Sequence, residues 1–100
     1  MYKPLPNCLV IKESEIHGLG LFAAENISSG TVFGISHVMD DRFENNYIRT
    51  PLGGFYNHSE EPNCETYRLG EFTYLKATRD IGTGEEITCY YTLYPIVAAQ

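Results

Sequence analysis

A mainly β fold with one short helix is the class this 100-residue chain predicts, and three observations predict it. Apolar and β-branched residues come in runs of about five or six rather than at helical spacing. Glycine-marked turns separate those runs at short intervals. Eight tyrosines with no tryptophan complete a composition suited to strands.

The elements follow in order. After Pro4 and Pro6, Cys8-Leu9-Val10-Ile11-Lys12 reads as a buried strand. The turn His17-Gly18-Leu19-Gly20 leads into Leu21-Phe22-Ala23-Ala24, and Asn26-Ile27-Ser28-Ser29-Gly30 leads into Thr31-Val32-Phe33-Gly34-Ile35. Asp40-Asp41 caps the expected helix over Arg42 to Ile48, closed by Thr50-Pro51 and Gly53-Gly54. Glu65 to Leu69 and Phe72 to Ala77 flank Gly70-Glu71 as a hairpin. A last glycine turn, Asp80 to Gly84, precedes a strand from Glu86 to Tyr91. The length suits a single domain over residues 1–100, with its core between about 9 and 91.

Composition narrows the function. Seven basic against thirteen acidic residues give a net charge of −6, which repels nucleic-acid phosphates and suits a protein or peptide partner with a basic segment. Cys8, Cys64 and Cys89 are odd in number and widely spaced, so neither a disulfide framework nor a metal site is expected. The start lacks the apolar run of a signal peptide, and no stretch approaches the roughly 20 apolar residues of a membrane helix. The expectation is a soluble, intracellular chain with no membrane contact.

Two polar blocks stand out. Asn57-His58-Ser59-Glu60-Glu61-Pro62-Asn63-Cys64 gathers amides, an imidazole and hydroxyls, while Gly84-Glu85-Glu86-Ile87-Thr88-Cys89-Tyr90-Tyr91 sets two carboxylates before a tyrosine pair. Adjacent strand residues point to opposite faces, so Glu85 and Glu86 do not form an acid/base pair and read as structural and substrate-facing surface. Gly18-Leu19-Gly20 lets backbone approach a ligand. A dinucleotide fingerprint would need a third glycine opening a helix, and Leu21-Phe22-Ala23 reads instead as strand. By themselves His17 and His37 read as turn or surface residues.

In this order the three motifs, with Leu21-Phe22-Ala23, Ile27, Gly30 and Arg79-Asp80-Ile81 between them, resemble the SET-domain protein lysine methyltransferases from about Leu9 to Tyr91. The compactness is most similar to minimal viral and bacterial members, which implies the cytoplasm, or a host cell, as the place of action. The resemblance implies a β-clip fold of small curved sheets with a knot-like C-terminal crossing. It implies S-adenosylmethionine on Gly18, Leu19 and Gly20, with Asn57 holding the methionyl part and the His58 backbone meeting adenine. Tyr91 takes the catalytic tyrosine position. Tyr47 aligns with a tyrosine near the cofactor, and Tyr94 follows Tyr91 closely enough to reach it. Tyr67 and Cys89 fall at positions of the lysine channel, and the small thiol at Cys89 leaves room for multiple methylation.

Three departures accompany the resemblance. Glu60 stands where many histone-directed members have a cysteine, and Thr92 to Gln100 contains none, which implies the branch without a zinc module. Closing the channel then falls to the tail through Tyr94 and Ile96, or to a second copy in a homodimer. Gly54 stands where many relatives have an arginine for the cofactor carboxylate. The competing reading is a SET-fold peptide-binding module with weak catalysis.

Overall fold

The expected alternation of short strands and glycine turns is what the chain adopts. A computed structural model describes residues 5–44 and 46–90. The strands are β1 (Leu9–Glu13), β2 (Leu19–Ala23), β3 (Val32–Met39), β4 (Tyr47–Arg49), β5 (Asn57–His58), β6 (Cys64–Leu69), β7 (Phe72–Ala77) and β8 (Thr88–Cys89), with one helix, α1 (Pro51–Phe55), between β4 and β5. β1 and β2 form an antiparallel pair, and the other six form a sheet in the order β4-β3-β7-β6-β8-β5.

Alternation sorts the sheet into an inward and an outward face. Along the β6–β7 hairpin, Cys64 pairs with Ala77 and Thr66 with Leu75 on the inward face, whereas Glu65 pairs with Lys76 and Tyr67 with Tyr74 on the outward one. Leu75 and Ala77 join Leu21, Ile27, Leu52, Ile81 and Ile87 in the core, so both sheets and the helix share it. A single bridge from Phe22 to Glu86 ties the two-stranded sheet to the segment after Arg79, and a second, Ile27 with Ile81, ties the turn beyond β2 to it.

The helix lies later than the sequence predicts. Asp40 does nucleate a turn: its carboxylate accepts from the Arg42 backbone N–H at 3.0 Å, and its carbonyl from Phe43 at 3.2 Å. The Arg42 guanidinium holds that carboxyl below its ordinary range. Tyr47 to Arg49 are then drawn into strand by pairing with His37 to Met39 of β3. Pro51 opens α1 instead of closing a preceding helix, because its fixed φ suits the first helical position and no amide donor is lost there. The Thr50 hydroxyl is not a cap but donates to the Ile35 carbonyl at 2.6 Å, pinning the helix start to β3.

His37 departs from expectation as well, since it is fully buried under α1 rather than at a turn or surface. β3 runs four residues further than its apolar stretch suggested, and this carries Ser36 and His37 into the core. The Ser36 hydroxyl donates to the Thr73 carbonyl at 3.2 Å and lies 2.9 Å from His37 Nδ1, so Nδ1 carries the proton of a neutral ring. Tyr47 and Tyr56 meet that ring edge-on, with centroids 5.1 and 6.4 Å away.

Burial first, and the Arg49 charge second, pull His37 from its ordinary 6.5 down to about 4. Between those values the unfolded chain binds a proton that the folded chain refuses. Stability is therefore full above about pH 6.5 and falls as pH drops towards 4, by up to about 3 kcal/mol. Urea unfolding across that window is expected to show this slope and His37→Gln to remove most of it; an equal slope in both proteins would contradict the assignment.

Candidate active site

Three segments far apart in sequence meet at one carboxylate. The Ser14 hydroxyl donates to Glu86 at 2.8 Å from each carboxylate oxygen, and Asn57 Nδ2 donates to Glu86 Oε2 at 2.7 Å. Asn57 Nδ2 also lies 3.2 Å from Ser14 Oγ and 3.3 Å from the His17 carbonyl. The Ser14 to Gly18 loop is built for this. Ser14 N–H donates to the Gly18 carbonyl at 2.7 Å, and Ser14 Oγ accepts from Ile16 N–H at 2.9 Å.

The two glycines differ in role. Gly18 has φ of 52°, a left-handed conformation that closes the loop, and a Cβ there would meet nothing within 4 Å. Gly20 is buried, and a Cβ on it would fall inside the Glu86 carboxylate. Its bare backbone is what lets Glu86 lie across β2 and reach Ser14 and Asn57.

Asn63 holds the same segment from the other side. Its Nδ2 donates to the Glu86 carbonyl at 2.7 Å and its Oδ1 accepts from Thr88 N–H at 2.9 Å, while its own N–H reaches Thr88 Oγ1 at 3.3 Å. This bracket seats β8 between β5 and β6, parallel to both, with Asn57 beside Thr88 and His58 and Cys64 beside Cys89. Upstream strands thus flank a later one, joined over it by the loop from Ser59 to Asn63. That is the crossing expected for this segment, up to Tyr90, the last residue described.

The family model of the SET domain matches residues 34–92, more than half of the chain. The chain belongs to the SET-domain family. Among curated relatives it is similar to the Suv4-20 histone-lysine N-methyltransferases of Caenorhabditis briggsae and Caenorhabditis elegans, 38% identical over 39 residues in each. Those residues are 39% of this chain but only 12% and 14% of the relatives, so the match spans a small part of their length. In fold it is similar to the methyltransferase domain of human PR domain-containing protein 2, with a TM-score of 0.72 at 21% identity, over 88% of this chain and 79% of that one. It is similar too to the Chaetomium thermophilum Polycomb Repressive Complex 2 bound to GSK126, with a TM-score of 0.69 at 20% identity, over 91% of this chain and 17% of that one.

Within this SET domain the residues singled out from sequence are only partly brought together. Gly18, Gly20 and Asn57 meet at the Glu86 cluster, with the Leu19 side chain half-exposed beside them. His58 follows on β5, its ring 4.8 Å from that of Tyr90 and its Nε2 3.5 Å from Glu60. Tyr47 is more distant: it touches His37, whose ring also contacts Tyr56, the neighbour of Asn57. Tyr67 and Cys89 are not brought onto one face. Cys89 is buried beside Cys64 on the inward face, and burial pushes both thiols up, Cys64 to about 12. Tyr67 stacks on Tyr74 outside, at 5.5 Å, with the Lys76 ammonium 5.7 Å from its ring. Tyr91 and Tyr94 lie outside the described residues.

Ser14, Asn63 and Glu86 are the site-building residues that sequence reasoning missed. Glu86 is half-buried and turned into the site, not substrate-facing surface. Alternation did separate it from Glu85, which is exposed, accepts from Gly82 N–H at 2.6 Å and pairs with Arg79 at 3.3 Å. The Gly82 amide chiefly, with Arg79, holds the Glu85 carboxyl below its ordinary range.

Asn63→Ala is expected to strand the Glu86 carbonyl and the Thr88 N–H in a buried setting and to cost about 3 kcal/mol. Urea denaturation checks this. A loss below about 0.5 kcal/mol, the range of ordinary surface changes, would show that β8 does not depend on the bracket.

Proposed function

We propose that this SET domain transfers methyl groups from S-adenosylmethionine to lysine side chains of a protein substrate. The observation that carries the reading is the Ser14–Asn57–Glu86 cluster, which joins the Gly18-Leu19-Gly20 loop, the Asn57-His58-Ser59 block and the Gly84-Glu85-Glu86 block at hydrogen-bond distance. Family membership and the Suv4-20 relatives support the same chemistry.

The residues present fit the cofactor. Open space above Gly18 admits a ligand against bare backbone, and the Asn57 amide stands at the edge of that opening as a polar anchor. On this reading Gly18, Leu19, Gly20 and Asn57 hold the methionyl end and the His58 backbone meets adenine, with Tyr47 and Tyr94 as further cofactor contacts. Bound S-adenosylmethionine supplies a methyl group on a sulfonium sulfur. The protein's part is geometry and desolvation. A lysine amine, ordinarily protonated below about pH 10.4, must arrive neutral, and an apolar channel disfavours its charged form. Tyr91 is assigned to orient that amine through its hydroxyl, Cys89 to border the channel from within, and Tyr67 to its outer rim, where its ring already takes the Lys76 ammonium.

The net charge of −6 favours a substrate with a basic segment around the target lysine. On this reading the channel's open end is closed by the tail through Tyr94 and Ile96 or by a second copy of the chain. Val32, Ile48 and Leu69, all exposed on the outward sheet face, are the apolar surface a second copy could use. Among the described residues no helix is long and apolar enough to cross a membrane.

Calorimetric titration with S-adenosylhomocysteine is expected to show binding, and labelled S-adenosylmethionine to deliver methyl groups to lysine-bearing protein. Tyr91→Phe is expected to keep cofactor binding and lower turnover about a hundredfold. Absence of binding would refute the cofactor assignment; peptide binding with no methyl transfer would favour the binding-module reading; unchanged turnover in the variant would remove Tyr91 from its role.

A further inference from the structure

The Asn57 side chain is held with a fixed polarity. Its Nδ2 faces the Glu86 carboxylate, Ser14 Oγ and the His17 carbonyl, and among the described residues every hydrogen bond of that side chain leaves from Nδ2. A carboxylate and a carbonyl accept only, so turning the amide over would set Asn57 Oδ1 against two acceptors. Oδ1 is therefore the end the amide presents away from the cluster. Glu86 has no cationic partner among the described residues, and its charge is met there only by the amide and the serine hydroxyl. A carboxylate behind Nδ2 polarises the amide and strengthens Oδ1 as an acceptor. It also makes the local potential negative, favouring a cation in front.

We infer that Glu86 and Ser14 are positioning residues that lock the Asn57 amide with its oxygen outward, and that this device selects a ligand bearing a protonated amino group. The inference rests on the cofactor reading proposed above and assigns the selected group to the cofactor's α-amino end. Glutamine at position 86 would bring an amide donor of its own, against which Asn57 can reverse and present Nδ2, a donor that repels an ammonium. Ser14→Ala removes the hydroxyl that sits between the two side chains.

The test compares calorimetric affinity for S-adenosylhomocysteine and for its deamino analogue, which lacks only the amino group. The wild-type protein is expected to prefer the amine-bearing compound by about tenfold, the scale of a hydrogen bond to a charged group. Glu86→Gln is expected to abolish that preference, and Ser14→Ala to reduce it. A general loss of structure would instead weaken both compounds alike. Retention of the full preference in both variants overturns the inference, and so does equal binding of the two compounds by the wild type. Failure of the wild type to bind either compound overturns the cofactor reading itself, a separate result. If Glu86→Gln does not fold, Ser14→Ala decides by the same ratio.

Discussion

Glu86 is the point where the fold and the site depend on each other. Its backbone bridges Phe22 of β2 and accepts from Asn63, and its side chain accepts from Ser14 and Asn57. One residue thus fixes the position of a strand edge, a loop, and the polar block that opens at β5. A half-buried carboxylate left without such donors would carry an uncompensated desolvation cost. Gly20 and Asn63 are the complementary conditions, the first by leaving room for the carboxylate and the second by holding its backbone in line with β8.

The sheet supplies the rigidity behind that meeting point. β8 is only two residues long, yet it pairs with β5 and β6 at once and has Ile87, Thr88 and Cys89 buried around it. Ser59 N–H closes over it by donating to the Cys89 carbonyl at 3.0 Å. The loop from Ser59 to Asn63 is short because it has only to step across this inserted strand. Burial keeps the Cys64 and Cys89 thiols protonated, so neither is poised as a nucleophile.

What was legible in the sequence is what local chemistry decides. The hairpin around Gly70-Glu71 and the strands before and after the Gly18 turn were readable because turn residues and β-prone runs act over a few positions. The helix was misplaced because Asp40 and Pro51 each carry a start tendency, and strand pairing at Tyr47 to Arg49 settled between them. His37 offered no local cue, since its burial follows from the extension of β3 beneath α1.

The candidate site was legible as three motifs but not as a connected object. Ser14 and Glu86 meet across 72 positions, and nothing near either residue announces the other. The glutamate pair looked like surface because its local pattern is that of a charged turn; only the bare Gly20 backbone, encoded far upstream, allows Glu86 to turn inward.

Asn57 is clamped through its Nδ2 by the Glu86 carboxylate. Side-chain amide hydrogen exchange of the wild-type protein, followed by NMR, tests it directly, with the exposed Asn26 as an internal reference. The Asn57 amide protons are expected to exchange much more slowly than those of Asn26, with one shifted downfield by the carboxylate. Asn57 protons exchanging as fast as those of Asn26, at an unshifted position, would contradict it.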